Sequence, residues 1–136
     1  MRDEKNNSAI FQELSSSPAA MAAAKAADVY GLMPEHDAEQ ADALQAYTQA
    51  LLVGTKTWVR LPKNRWPQAW IDAKMKDPVC PLRVALYGHP DSGGHWEMHL
   101  ESKIIPEGFA KVAGGWRSVY FHQKLDLMLI VYVDDF

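Results

Sequence analysis

The chain has 136 residues, 48% apolar and 23% charged, which suits one domain with a single modest core. A formal net charge of −3 argues against an autonomous nucleic-acid binder, which would carry a basic face. The one cysteine, Cys80, excludes an intrachain disulfide and fits a reducing compartment. No apolar run is long enough for a membrane span, and the start lacks the apolar stretch of a signal peptide, so an intracellular, non-secreted protein without membrane contact is expected.

Residues 1–8 are polar. Ile10, Phe11 and Leu14 are spaced for a short helical face. Ser17 suits an N-cap, Pro18 the first helical position and Gly31 the C-terminal cap, with an alanine-rich run between them. That predicts a helix and offers no chemistry. Residues 34–37 read as a loop, with His36 solvated. Much of residues 39–52 has helical periodicity, with Ala46, Ala50 and Leu51 or Leu44, Tyr47 and Leu51 on one face and Asp42 as an N-cap. Residues 57–62 predict a strand closed by Pro62. Residues 63–81 read as an irregular connection with one short helix around Trp70. Its Lys63, Arg65, Lys74 and Lys76 suit a solvated loop better than a template contact.

A helix is expected from about Gly93 to Ile104, before Pro106 and Gly108. His95, Glu97 and His99 form H-x-E-x-H rather than the zinc-protease H-E-x-x-H, so they read as surface histidines on that helix. Residues 118–122 alternate as a strand, Gln123 and Lys124 form a turn, and Leu125 opens a last strand, which predicts an antiparallel hairpin. Residues 127–133 are almost wholly apolar, the pattern of a strand buried on both faces. Asp134 and Asp135 follow directly. Two negative charges ending a buried strand call for a compensating cation, and hard divalent ions prefer carboxylate oxygen. A bare Asp-Asp pair also reads as a solvated acidic turn.

Tyr132-Val133-Asp134-Asp135 resembles the Y-x-D-D box of reverse transcriptases, and its flanks, Leu129-Ile130-Val131 and Phe136, resemble the copia-type branch of LTR retrotransposons. The likeness runs in the family's order over residues 38–136. Asp42, followed by Ala46 and Tyr47, is similar to motif A. Residues 82–88, L-R-V-A-L-Y-G, are similar to the start of motif B. Gly108-Phe109 matches the G-F after the motif B helix. Two positions depart from the pattern: Asp91 stands where the family has Gln, and Gly93 where it has Pro.

The resemblance implies an α+β fold, a partial right-hand polymerase palm whose antiparallel sheet is backed by helices, with a helical N-terminal segment over residues 1–37. It implies RNA-directed DNA synthesis by Asp42, Asp134 and Asp135 through two Mg²⁺ (or Mn²⁺) ions about 4 Å apart. Tyr47, as the aromatic floor that excludes a ribose 2′-hydroxyl, would line the nucleotide site with Gly88, Asp91 and Tyr132. An RNA or DNA template-primer and deoxynucleoside triphosphates are the implied partners. No basic fingers segment is recognisable in residues 1–37, and the sequence stops one residue after Asp135. The expectation is therefore a fragment of a retrotransposon Pol polyprotein, inactive alone. The alternative is a non-catalytic remnant serving as a small interaction or metal-binding module.

Overall fold

A computed structural model describes residues 19–136; the Ile10, Phe11, Leu14, Ser17 and Pro18 readings lie outside them. In chain order the elements are α1 (Met21–Gly31), α2 (Ala46–Gln49), β1 (Trp58–Val59), a 3-10 turn (Lys63–Arg65), α3 (Gln68–Asp72), β2 (Cys80–Pro81), α4 (Ser92–Ile104), β3 (Ala110–Lys111), β4 (Val119–His122) and β5 (Leu127–Ile130). The fold is mixed α/β with small antiparallel sheets: β1 pairs with β2, and β3, β4 and β5 form a second sheet in that order. Among the described residues no helix is long and apolar enough to cross a membrane.

The hairpin stands where the alternation put it, with Val119 opposite Ile130 and His122 opposite Leu127. The strand after it is shorter than residues 127–133 suggested, and β5 is half-buried rather than buried on both faces. The reason is its place at the sheet edge: β4 takes the central position and the burial. Period-2 alternation sends Tyr120 and its partner Leu129 to one face, where they meet Trp96 and Leu100 of α4. Phe121 and Met128 take the other face, and there the Tyr30 ring of α1 meets Phe121 edge-on at 6.4 Å.

The core thus lies between α4 and the sheet. Ala46, Trp96, Leu100, Tyr120 and Val131 form it, with Ala43, Tyr47, Phe109 and Phe136 packed around. Tyr120 is fully buried, and its hydroxyl donates to Glu101 at 3.0 Å. Burial, reinforced by the Glu101 charge, pushes its phenol well above the ordinary range. Lys111 completes the group with a 2.6 Å ion pair to Glu101.

The helical pattern within residues 39–52 yields only the four-residue α2. Gln45 ahead of it lies at φ +54°, a left-handed conformation from which no helix can run back, and Ala50 after it is extended. The flanking residues pair elsewhere: Leu51 bridges Val84, and residues 41–43 join the chain end. The predicted strand over 57–62 shrinks to β1 in the same way, its register set by Cys80 and Pro81. His36 is not a free loop side chain. It meets Tyr30 edge-on at 4.5 Å, and its Nε2 lies 3.4 Å from Asp126, which Tyr30 also holds at 2.8 Å.

Gly31 ends α1 without a left-handed cap, and close approach explains it: a Cβ there would meet the Ala38 Cβ at 2.9 Å. Gly108 combines both constraints. Its φ is +109°, and a Cβ would meet His122 Nε2 at 2.6 Å. That nitrogen donates to the Glu107 carbonyl, because Nδ1 accepts from the Leu125 amide. Gly108→Ala is therefore expected to lower stability by about 2–3 kcal/mol, through strained φ and a displaced His122. A urea unfolding free energy within about 0.5 kcal/mol of the parent's, the limit for neutral surface changes, would contradict that account.

Candidate metal and nucleotide site

The site begins with two backbone segments far apart in sequence, residues 41–43 and residues 134–136. The Ala41 amide donates to the Phe136 carbonyl at 3.1 Å, the Phe136 amide donates back at 2.8 Å, and the Ala43 amide donates to the Asp134 carbonyl at 2.8 Å. Between these hydrogen bonds Asp42 stands opposite Asp135 as an antiparallel bridge. It is the narrow, non-hydrogen-bonded kind of pair, in which Cα atoms approach to about 4.5 Å and side chains share a face. Both residues are exposed. Asp42 is thus no helix N-cap; its backbone belongs to the ladder.

Residues 132–135 form a tight turn: the Tyr132 amide donates to Asp135 O at 2.8 Å, and the Asp135 amide donates back at 3.1 Å. Val133 and Asp134 fill it, with Val133 at φ +62°. A two-residue hairpin turn needs positive φ, which Asn or Gly supplies without strain. A β-branched residue there is an outlier, strained by roughly 1–3 kcal/mol. The surroundings hold it: the indole N–H of Trp96, itself only 4% exposed, donates to the Val133 carbonyl at 2.5 Å.

The Asp134 side chain meets a tyrosine pair. Tyr87 Oη donates to Asp134 Oδ2 at 3.1 Å, and the Tyr47 ring lies 4.4 Å from that of Tyr87 at 60°. The hydrogen bond to Asp134 is the main reason the Tyr87 phenol titrates above its ordinary range, with the charges of Asp134 and Asp42 adding to it. Tyr47 is pushed up by burial and then by the Asp134 charge. Asp42 is therefore the shared neighbour, opposite Asp135 and within electrostatic reach of the phenol that holds Asp134. The three carboxylates do not close into a chelate: among the described residues no three His, Cys, Asp or Glu side chains converge to hold an ion.

The other nucleotide-site residues divide. Gly88, at φ +86° beside Tyr87, has nothing within 4 Å of an added Cβ, so conformation rather than space requires glycine there. Tyr132 is 58% exposed at the turn. Asp91 is only 3% exposed at the head of α4, so its carboxylate does not line an open surface. His95, expected on the surface, is also buried at 7% exposure, and its Nε2 has no hydrogen-bond partner among the described residues. The H-x-E-x-H spacing reads as surface histidines, but α4 buries most of its first turn, from Ser92 through Trp96.

Ser92 has a role that sequence reasoning missed. Its Oγ accepts from the Leu86 amide at 2.9 Å and donates to the Leu86 carbonyl at 2.7 Å. With the Ala85 amide bonded to Ala50 O at 2.9 Å, this fixes the backbone leading into Tyr87. The usable signal was a serine just ahead of a helix, which normally caps it; here the hydroxyl serves the preceding loop instead. Compared with known proteins, the chain has no significant match to a family model, to a curated protein or to a solved structure.

Two outcomes follow. Trp96→Phe keeps the packing and loses the donor to a part-buried carbonyl. It should lower stability by about 1–2 kcal/mol and speed hydrogen exchange at the Asp135 and Phe136 amides; unchanged exchange there would refute its role in holding the turn. The second concerns His89. Its Nδ1 accepts from the Asp91 amide at 3.2 Å, so its proton sits on Nε2, 3.0 Å from Thr57 Oγ. Burial lowers its pKa, with Asp91 opposing and His95 assisting. The unfolded chain then takes up a proton below about pH 6.5 that the fold resists. The stability from neutral His89 is present above that pH and is lost as pH falls toward the lowered folded pKa. Urea midpoints at pH 7.5 and 5.5 should differ less in His89→Gln than in the parent; equal differences would exclude His89 as the source.

Proposed function

We propose that the chain is the palm of a copia-type reverse transcriptase and that Asp42, Asp135 and Asp134 form its acidic centre for two-metal nucleotidyl transfer. The observation that carries the reading is the narrow pairing of Asp42 with Asp135 across the ladder. Like charges directly opposite on one sheet face destabilise it unless a cation offsets them. The donors suit Mg²⁺ or Mn²⁺: hard carboxylate oxygens, open to solvent. Mg²⁺ is held by one or two carboxylates plus substrate phosphates, so a complete protein chelate is not required. Bound there, such ions supply charge neutralisation for in-line displacement at a phosphate.

The residues themselves would act by position. Asp42 and Asp135 hold the negative end of the site on a fixed ladder. Tyr47 and Tyr87 form an aromatic wall beside Asp134, where a deoxyribose would rest and a 2′-hydroxyl would be crowded. Trp96 keeps the turn at its height over α4. Template-primer affinity would be low in these 136 residues, because 14 Lys and Arg face 17 acids. The buried Asp91 favours a second reading, a palm-like remnant without catalysis.

Metal binding separates the two. Titrating the chain with Mn²⁺, followed by electron paramagnetic resonance, should show weak binding. Asp42→Asn and Asp135→Asn should each weaken it about tenfold or more, while the remote Asp72→Asn leaves it unchanged. Binding indifferent to Asp42 and Asp135 would overturn the acidic-centre reading and leave the remnant.

A further inference from the structure

Charge is segregated along this chain. Residues 56–83 carry seven of its 14 Lys and Arg but two of its 17 Asp and Glu, a net charge of +5 against −8 for the rest. One face of the β1–β2 ribbon collects part of that charge around an aromatic ring. Trp58 stands opposite Pro81, and Val59 opposite Cys80. Period-2 alternation puts Lys56, Trp58 and Arg60 on the same face as Val79, Pro81 and Arg83, and all six are exposed. The residues between them turn inward: Thr57 is buried, and Val59, Cys80 and Leu82 are partly so. The inner side fixes the ribbon to the body. The Leu82 amide donates to the Thr57 carbonyl at 2.8 Å, and Thr57 Oγ lies 3.0 Å from His89 Nε2. Arg60 is held on the outer side by Asp77 at 2.7 Å. Trp58 stays 49% exposed on this braced surface, beside the apolar Val79 and Pro81.

We propose that this ribbon face is a surface for single-stranded polynucleotide, separate from the acidic centre. Trp58 stacks on a base, and Lys56, Arg60 and Arg83 neutralise the phosphates on either side. A rigid indole on a sheet face, flanked by cations, is the arrangement that base stacking with backbone neutralisation requires. Other anionic partners fit it less well. An acidic peptide would engage the cations and leave the indole face without a ring to stack on. A duplex keeps its base faces inside the stack. An anionic membrane would call for a wider apolar area than Trp58, Val79 and Pro81 supply. The cations of the connection, Lys63, Arg65, Lys74 and Lys76, lie off the ribbon face and act through the field, drawing a polyanion to this end of the molecule and away from the acidic remainder.

The test is fluorescence anisotropy of labelled oligouridylate and oligothymidylate, each about twelve nucleotides long, titrated with the full chain at low salt. Binding with a Kd of roughly 1–100 μM is expected. Trp58→Ala should weaken it about tenfold and Trp58→Phe less, with far-ultraviolet circular dichroism checking the fold of each. Arg83→Gln, an exposed change that folding should survive, should weaken it about threefold and lower the salt slope by about 0.7, while the remote Lys103→Gln leaves it unchanged. Asp42→Asn should also leave it unchanged, so this proposal and the acidic-centre reading fail separately. Binding indifferent to Trp58 and Arg83 overturns the proposal, and so does a duplex of the same length bound as tightly as the single strands. Binding to phosphatidylserine vesicles without binding to either oligonucleotide assigns the face to a membrane and overturns it. Self-association that Trp58→Ala abolishes, with no oligonucleotide bound, assigns the face to a second copy of the chain and overturns it as well.

Discussion

Everything at the candidate site hangs on one short ladder, the pairing of residues 41–43 with residues 134–136. It joins segments more than ninety residues apart. Three backbone hydrogen bonds are a small return for closing so long a loop, so the ladder depends on what lies beneath it. Ala43, Tyr47 and Phe136 pack against the core of Trp96, Leu100, Tyr120 and Val131, and that burial draws the two segments together. The ladder then sets Asp42 against Asp135, a juxtaposition that local stability alone would disfavour.

A second cost lies beside the first. Val133 sits at positive φ in the turn, where glycine or asparagine would fit without strain. The repulsion and the strained turn fall within a few residues of each other. Natural sequences are locally consistent over most of their length, and breaches of that consistency collect where function overrides stability. Left-handed non-glycine residues also stand at Glu35, Gln45, Lys74, Ser118 and Asp126, but Val133 is the β-branched one, and Trp96 holds its carbonyl from below.

Legibility in the sequence followed the range of the forces involved. The β4–β5 hairpin and α4 were readable because alternation, periodicity and the stop before Pro106 are local signals. The position of Asp42 was not. Its helical periodicity is real, and only the resemblance placed it beside the acidic pair; the left-handed Gln45 that cuts the helix short has no local signature. Burial was misjudged in both directions. Residues 127–133 looked doubly buried but lie at a sheet edge, and His95 looked exposed but sits in the packed first turn of α4. Edge position and the depth of a helix are properties of the assembled layers, which no window of sequence contains.

The same distinction bears on Asp91 and Tyr87. By sequence Asp91 stood at the nucleotide site and Tyr87 was one letter of a motif; by geometry their importance is exchanged. Asp91 turns inward at the head of α4, where its amide fixes His89 and through it Thr57. Tyr87 turns outward and reaches the acidic turn. Between them stands Ser92, whose hydroxyl is committed to the Leu86 backbone rather than to capping α4. With Leu86 held there, the chain passes Tyr87 and takes a left-handed conformation at Gly88 before entering the helix. The buried Ser92 hydroxyl thus braces the loop whose Tyr87 side chain meets Tyr47 and Asp134.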